Sequence, residues 1–557
     1  LAGDVQAAIA SALSGAALGG ISIAVTDVTD SAGVHHLHFA STTANLSVYA
    51  PAQYLDETHA PVDNPGILEL GLIDLGVLST VADALLVVGA SDPDTLNVSD
   101  AADTANALGT LTQTHLTGLG MGAPGIEYHG LTNLNIFLGS GNDLFNVRGT
   151  LPTTSLNAGE GDDMIYVSSG ADLGLLLPGP SQYAPPIAGA DLADLHAQIL
   201  HPAGSTLDDL AGNLSIEAGL GRNTLSVSDR YATAPDAAAV ITGTDITGLA
   251  VGSIHYVADG GDFSGQGYWP LTMDMGLFAR GINIYGGSGG NTFALHSLHA
   301  TALTAPFTRN VTSLFTGEGA DTVTADVADT PNAMLVINGQ AGDDAIDASA
   351  SALPVTIFGD EGADTLTGGS NNDILLGDSG RVYYQRPASL TASQAYDVVF
   401  GGAFAAADLT GVNDDADFMT PGLIQTNVAP ATDGSDTLTG GPGGDFLLGG
   451  NNGLADDETI AAGEGDNVVL GDNGRIQLSS GLLDLVESTD TGEGGHDHIT
   501  SGAGKDTIVA GPGGDLIDAG NGDNVVLGDN GRIEYNRDAG TRQLLVTTAT
   551  AVGGADD

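Results

Sequence analysis

Between Gly492 and Ile533 the chain places one large apolar residue at every ninth position: Ile499, Ile508, Ile517 and Val526. Small and polar residues fill the intervals. Two positions before each apolar residue stands Asp497, Asp506, Asp515 or Asn524, and two positions earlier still stands Gly495, Gly504, Gly513 or Gly522. This is neither the 3.6-residue period of an amphipathic helix nor a plain alternation. The pattern predicts a short strand that buries a single side chain, followed by a six-residue turn. Glycine permits the positive φ such a turn needs and lets carbonyls point into it. Two nines make one coil, and stacked coils sit roughly 4.8 Å apart. Gly-Asp pairs also make ordinary turns, but four consecutive slots in strict register point to stacked coils.

Rows of carboxylates and carbonyls suit Ca2+, which takes about six to eight oxygen ligands. The residues from Gly492 to Ile533 resemble the RTX, or haemolysin-type, calcium-binding repeats of secreted bacterial proteins. The resemblance implies an all-β fold: a parallel β-roll or β-helix solenoid with calcium-binding Gly/Asp turns, here interrupted by β-excursions and a Pro-rich insertion. It implies Ca2+-dependent folding outside the cell. It implies no single activity, because such repeats occur in toxins, proteases, lipases, adhesins and surface layers.

The same register extends upstream. The acidic slot falls on Asp143, Asp163, Asp321, Asp344, Asp364, Asp373, Asp436 and Asp445, and then on Asp497, Asp506 and Asp515. Asn467 and Asn524 occupy it with an uncharged oxygen. The turn glycines Gly502, Gly504, Gly511, Gly513, Gly520 and Gly522 complete the expected ligand set with Asp378, Asp472 and Asp529. Asn223 and Asn291 stand in the slot in otherwise intact turns, where weak or empty sites are expected.

A longer period overlies the nines. LLGDSGRV, VLGDNGRI and VLGDNGRI recur at Gly377, Gly471 and Gly528; the last two are 57 residues apart and the first two 94. The excess lies mainly within 383–433, with a small insertion near Asn451–Thr459. The chain accordingly divides into a β-rich region at 1–130 and a degenerate repeat solenoid at 131–290, with an insertion near 173–212. Calcium-binding repeats follow at 291–382, an insertion at 383–433, and a calcium-binding roll at 434–557 whose array is expected to continue. Segments GISIAVTDV, HHLHFAST, ANLSVYA and ALLVVGA read as strands; a helix is expected at Asp191–Leu200 and a weak helical period at Val5–Leu13.

Composition narrows the partners. The 557 residues include 70 acidic and 12 basic side chains, a net charge of −58, with Lys505 the single lysine. Such a field repels nucleic acid and anionic membranes. Hydrophobic residues make up 42% of the chain, too many for a disordered acidic tail. The sequence has no cysteine, which excludes disulfides and thiolate metal sites. No apolar run reaches membrane-spanning length.

Catalytic constellations are weak. GDSG at Gly377–Gly380 resembles a serine-nucleophile segment, but its sister copies carry Asn473 and Asn530 in place of Ser379. In the repeat reading Arg381, Arg475 and Arg532 either pair with carboxylates or are solvated. His35, His36, His38, His296, His299, His496 and His498 lack zinc-site spacing. A β-helix polysaccharide lyase or epimerase would need a basic or aromatic groove, and only 5% of residues are aromatic. The expectation is therefore a non-enzymatic, extracellular, calcium-stabilised structural or adhesive protein of a bacterial surface or matrix. It would self-associate into filaments or sheets and touch cell-surface glycans or other matrix components. The alternatives are the repeat region of a secreted toxin or hydrolase, and a polysaccharide lyase or epimerase.

Overall fold

The computed structural model describes residues 23–29, 35–41, 45–49, 67–71, 85–89, 94–173, 204–263, 281–300, 310–384, 397–400, 421–426, 434–450, 457–479, 481–489, 492, 494–536 and 541–548. The expected helix at Asp191–Leu200, the Val5–Leu13 period and the Pro-rich insertion lie outside them. Among the described residues there is no α-helix. The strands expected near the N-terminus are present at Ile23–Thr29, His35–Ser41, Asn45–Tyr49 and Leu85–Val88. The fold is a parallel β-solenoid, organised in two compact units.

The first unit comprises residues 1–177, 199–228 and 244–266. Strands Thr95–Ser99, Asn133–Phe137, Thr153–Asn157, Leu214–Glu217 and Ile254–Val257 stack in parallel. Their register aligns Val98, Ile136, Leu156, Ile216 and Tyr256 in one buried column. A second parallel sheet stacks Leu108–Leu111, Leu144–Val147, Met164–Val167 and Thr224–Ser228.

The second unit comprises residues 178–198, 229–243 and 267–557. One sheet aligns Ile346, Leu366, Leu438, Ile460, Ile499 and Ile517, one per coil. The facing sheet aligns Ile337, Ile357, Leu375, Leu447, Val469, Ile508 and Val526. These are the apolar positions of the nines. Each side chain sits directly on its counterpart 4.8 Å or so away, and all but Ile517 and Val526 of the last coil are buried, so the core is a pair of aliphatic columns.

The GD(N/S)GR segments do something the nines do not. At Gly380, Gly474 and Gly531 the chain leaves the roll and forms antiparallel strands. These strands join into one sheet in the order Asp397–Phe400, Gly380–Tyr384, Pro421–Thr426, Gly474–Ser479, Leu482–Ser488, Gly531–Asn536 and Thr541–Thr547. It covers the outer face of the roll: Val382, Ile424, Ile476, Val486 and Ile533 form one buried cluster with Ile374, Leu376, Leu448, Val468, Leu470 and Val509. Both faces of that roll sheet are therefore apolar. This explains the continuous runs ILL, FLL, VVL and VVL in place of a strict alternation. From one GD(N/S)GR to the next the roll advances two coils, from Ile374–Leu376 through Phe446–Gly450 to Val468–Asp472, and thence through Thr507–Val509 to Val525–Leu527. Over the same interval the outer sheet gains two strands.

Candidate metal centre

Each coil of the second unit has two turns, and the acidic slots line both edges. Along one edge the backbone N–H of each slot residue donates to Oδ1 of the slot residue one coil on. Asn291 donates to Asp321 (2.5 Å), Asp321 to Asp344 (2.7 Å), Asp344 to Asp364 (2.8 Å) and Asp364 to Asp436 (2.8 Å). Further along, Glu458 donates to Asp497 (3.2 Å) and Asp497 to Asp515 (2.9 Å). The other edge runs from Asp373 to Asp445 (2.8 Å), Asn467 (2.9 Å), Asp506 (3.1 Å) and Asn524 (3.0 Å). In the first unit Asp143 donates to Asp163 (2.7 Å) and Asp163 to Asn223 (2.9 Å). Asp143 and Asp163 are thus one coil apart, as their 20-residue spacing suggests.

This ladder uses only one oxygen of each carboxylate. The Oδ2 atoms of Asp163, Asp344, Asp445, Asp472, Asp497 and Asp506 are buried and accept no hydrogen bond. Burying an ionised oxygen without a partner costs several kcal/mol or more. The electrostatics register that cost. Burial pushes Asp344 up to about 9, Asp163 to about 8 and Asp373 to about 7. Asp143, Asp321 and Asp445 rise to about 6 for the same reason. A cation beside each free oxygen removes the penalty, and the all-oxygen donor set fits Ca2+.

The turn glycines stack along the same edges. Gly502 N–H donates to the Gly463 carbonyl (2.8 Å), and Ala503–Gly504 pairs with Asn521–Gly522. Gly513 and Gly522 have φ of 150° and 147°. A Cβ there would press on the carbonyls of Gly495 and Gly504 one coil away, so no other residue fits without strain. Gly511 and Gly520 also adopt positive φ.

Asparagine alters a rung. Asn291 Nδ2 donates to the carbonyls of Gly287 (3.1 Å) and Thr316 (3.0 Å). Asn467 Nδ2 donates to Gly463 (3.1 Å), Gly465 (3.2 Å) and Asp506 Oδ1 (3.1 Å), and Asn524 Nδ2 to Ala519 (2.5 Å). At these rungs the amide brings its own positive pole to carbonyls that an ion would otherwise serve.

The GD(N/S)GR aspartates lie where the chain leaves the roll. Asp472 Oδ1 accepts the Gly495 N–H (3.3 Å), at the point of return. Asp378 is buried against Gly450 of the next coil, where a Cβ would collide with it. Asp529 is half-buried in the same place of the third copy. Arg475 and Arg532 both pair with Glu487, and Arg532 also with Glu534 (2.8 Å). The Arg381 side chain lies outside the description. Ser379 donates its hydroxyl to Asp360.

One acidic slot residue escapes the nine-residue register. Glu458 occupies the slot between Asp436 and Asp497, because Thr437–Thr439, Thr459–Ala461 and His498–Thr500 pair in sequence. Glu458, Asp472 and Asp497 are buried, with ligand oxygens within 4.8 Å of one another. Burial pushes all three carboxyls up, and the facing Asp497 raises Glu458 further. The legible signal is Glu458-Thr459-Ile460, an acid-Thr-aliphatic triplet like Asp364-Thr365-Leu366 and Asp436-Thr437-Leu438.

These features define a calcium-binding parallel β-roll. The sequence profile of the RTX calcium-binding nonapeptide repeat matches residues 155–173, 356–382, 430–453, 452–475 and 500–532. The chain therefore carries RTX repeats and binds several calcium ions through them. No curated protein matches it.

Proposed function

We propose that this chain is a secreted, non-enzymatic structural or adhesive protein of a bacterial surface or matrix, whose roll assembles when calcium becomes available. The observation that carries the reading is the ladder of buried carboxylates, each holding the next coil by one oxygen and leaving the other to a cation. Calcium supplies the positive charge that lets these rungs close. The chain's residues supply the rest: Oδ1 fixes the register, glycine carbonyls line the turn, and the aliphatic columns bury the strands. At low calcium a net charge of −58 opposes compaction, and at roughly millimolar extracellular levels binding energy becomes folding energy.

Association into filaments or sheets is the assembly such a fold would form, because an uncovered strand edge pairs with a strand of another copy. A strongly acidic surface also leaves glycans and cation-bridged matrix polymers as the compatible neighbours, with nucleic acid and anionic membranes disfavoured.

The test is a calcium titration of chelator-stripped protein, followed by circular dichroism and electron microscopy. Parallel growth of β-signal and ordered assemblies supports the reading. β-signal with persistent monomers confines calcium to folding and removes the assembly function.

A further inference from the structure

Glu458 breaks the ladder in an informative way. Its backbone N–H donates to Asp497 Oδ1 like any other rung. Its carboxylate does not behave like the others. The residue is 1% exposed, no backbone N–H, amide or hydroxyl donates to Oε1 or Oε2, and its carboxyl faces that of Asp497. The extra methylene carries the acid beyond the ladder, toward Asp497 and Asp472.

Asp472 belongs to no nonapeptide slot. It is the last residue of Val468–Asp472, where the chain departs for the hairpin Gly474–Ser479 and Leu482–Ser488. Its Oδ1 holds Gly495, where the chain comes back, while its buried Oδ2 has no donor. Gly471, Gly494 and Gly511 admit the carboxylates: a Cβ on Gly471 would collide with Asp497 Oδ2, and one on Gly494 or Gly511 with Asp472 Oδ2. Among the described residues no arginine, lysine or histidine forms an ion pair with any of the three acids. Three acidic side chains thus meet in a buried cluster lined by glycine backbone.

We propose that Glu458, Asp472 and Asp497 form a separate site for one calcium-class cation, which closes the turn opened by the hairpin and fills before the nonapeptide sites. The inference rests on the calcium-binding reading of the repeats and goes beyond it by joining the slot residues Glu458 and Asp497 with Asp472 of the hairpin root on one ion. Ligand charge and rigidity set calcium affinity. A rung brings one charge, as Asp445 over Asn467, or two, as Asp344 over Asp364, whereas this cluster brings three. The cation fastens departure and return of the chain together. It thereby fixes the root of the hairpin whose Ile476 and Val486 seal the outer core.

Calcium uptake by the full chain is measured by titration calorimetry for wild type, Glu458→Gln, Asp472→Asn and, as a repeat-site control, Asp506→Asn. Wild type is expected to show one tight equivalent ahead of a weaker class. Glu458→Gln and Asp472→Asn each lose that equivalent, Glu458→Asp regains it in part, and Asp506→Asn keeps it while losing capacity in the weaker class. A tight equivalent that survives Glu458→Gln overturns the proposal and leaves the repeats intact. Absence of calcium uptake by wild type overturns the repeat reading and the proposal with it. Anomalous scattering from terbium-soaked wild-type crystals gives a check independent of variant folding. A peak among the three carboxylates supports the site, and terbium confined to the nonapeptide turns refutes it.

Discussion

The backbone N–H of Asp364 donates to Oδ1 of Asp436 at 2.8 Å, across 72 residues of chain. Asp373 makes the same bond to Asp445 over the same interval. Strand Thr365–Thr367 pairs directly with Thr437–Thr439. The whole 383–433 insertion is therefore looped out between two adjacent coils, and neither edge of the roll loses register. The carboxylate ladder, more than chain continuity, defines what is next to what.

That dual use of one carboxylate predicts opposite effects of Asp344→Asn in two media. The amide keeps an oxygen for the Asp321 N–H but carries no charge. With chelator present, the variant is expected to melt above wild type, because a buried uncompensated carboxylate has gone. With saturating calcium it melts below wild type, because a ligand charge has gone. Thermal melts under both conditions check this, and a shift of the same sign in both contradicts the ladder's double role. Asp344→Ala removes the acceptor as well and costs a further ~1–3 kcal/mol for the stranded N–H.

Acidity should act with a defined sign. Burial raises Asp143, Asp321 and Asp445 to about 6, Asp373 to about 7, Asp163 to about 8 and Asp344 to about 9. In the unfolded chain such groups titrate near ~3.9. The metal-free fold therefore holds more protons than the unfolded chain above about pH 4. Its stability from these groups is full below that pH and is lost as pH climbs through about 6 to 9. Calcium competes with the same protons and keeps these carboxyls ionised, as they are in the unfolded chain, so the stability of the loaded protein should be nearly flat over that range. Urea midpoints at pH 5 and pH 8, with chelator and with calcium, test the contrast: a fall toward pH 8 with chelator and little change with calcium.

Gly513→Ala should destabilise the calcium-loaded roll by more than ~1 kcal/mol. The residue has φ of 150° and lies against the Gly495 carbonyl. Chemical denaturation in saturating calcium measures it. A neutral substitution would mean the turn relaxes freely.

Glu487 joins Arg475 and Arg532 across neighbouring strands of the outer sheet. Both arginines are more than a third exposed, so Glu487→Gln is expected to cost only about 1 kcal/mol, and less at high salt. The unfolding midpoint at low and high sodium chloride checks both parts.

The parts legible in the sequence are those written in local spacing. Asp497, Asp506 and Asp515 with Ile499, Ile508 and Ile517 announce coil, turn and ligand together, because one nonapeptide specifies all three. Glu458 is hidden because residues 451–459 break the nine and its partners come from Asp472 and Asp497, on other turns. The outer sheet is hidden for the same reason. The GDNGRI period marks where hairpins start, but Val486 meets Ile533 only because the roll sets Gly474 and Gly531 two coils apart. Pairing dictated by a scaffold leaves little trace in the strands it pairs.

That two-for-two match between coils and hairpin strands has a consequence for growth. Removing one 18-residue coil between hairpins, such as 497–514, would bring Gly531–Asn536 a full strand width closer, into the place that Leu482–Ser488 occupies. Removing a 57-residue unit would shorten roll and outer sheet by the same roughly 9.6 Å and leave every pairing intact. Length in this part of the molecule is quantised, and gene duplication in whole units is the change that both layers accept.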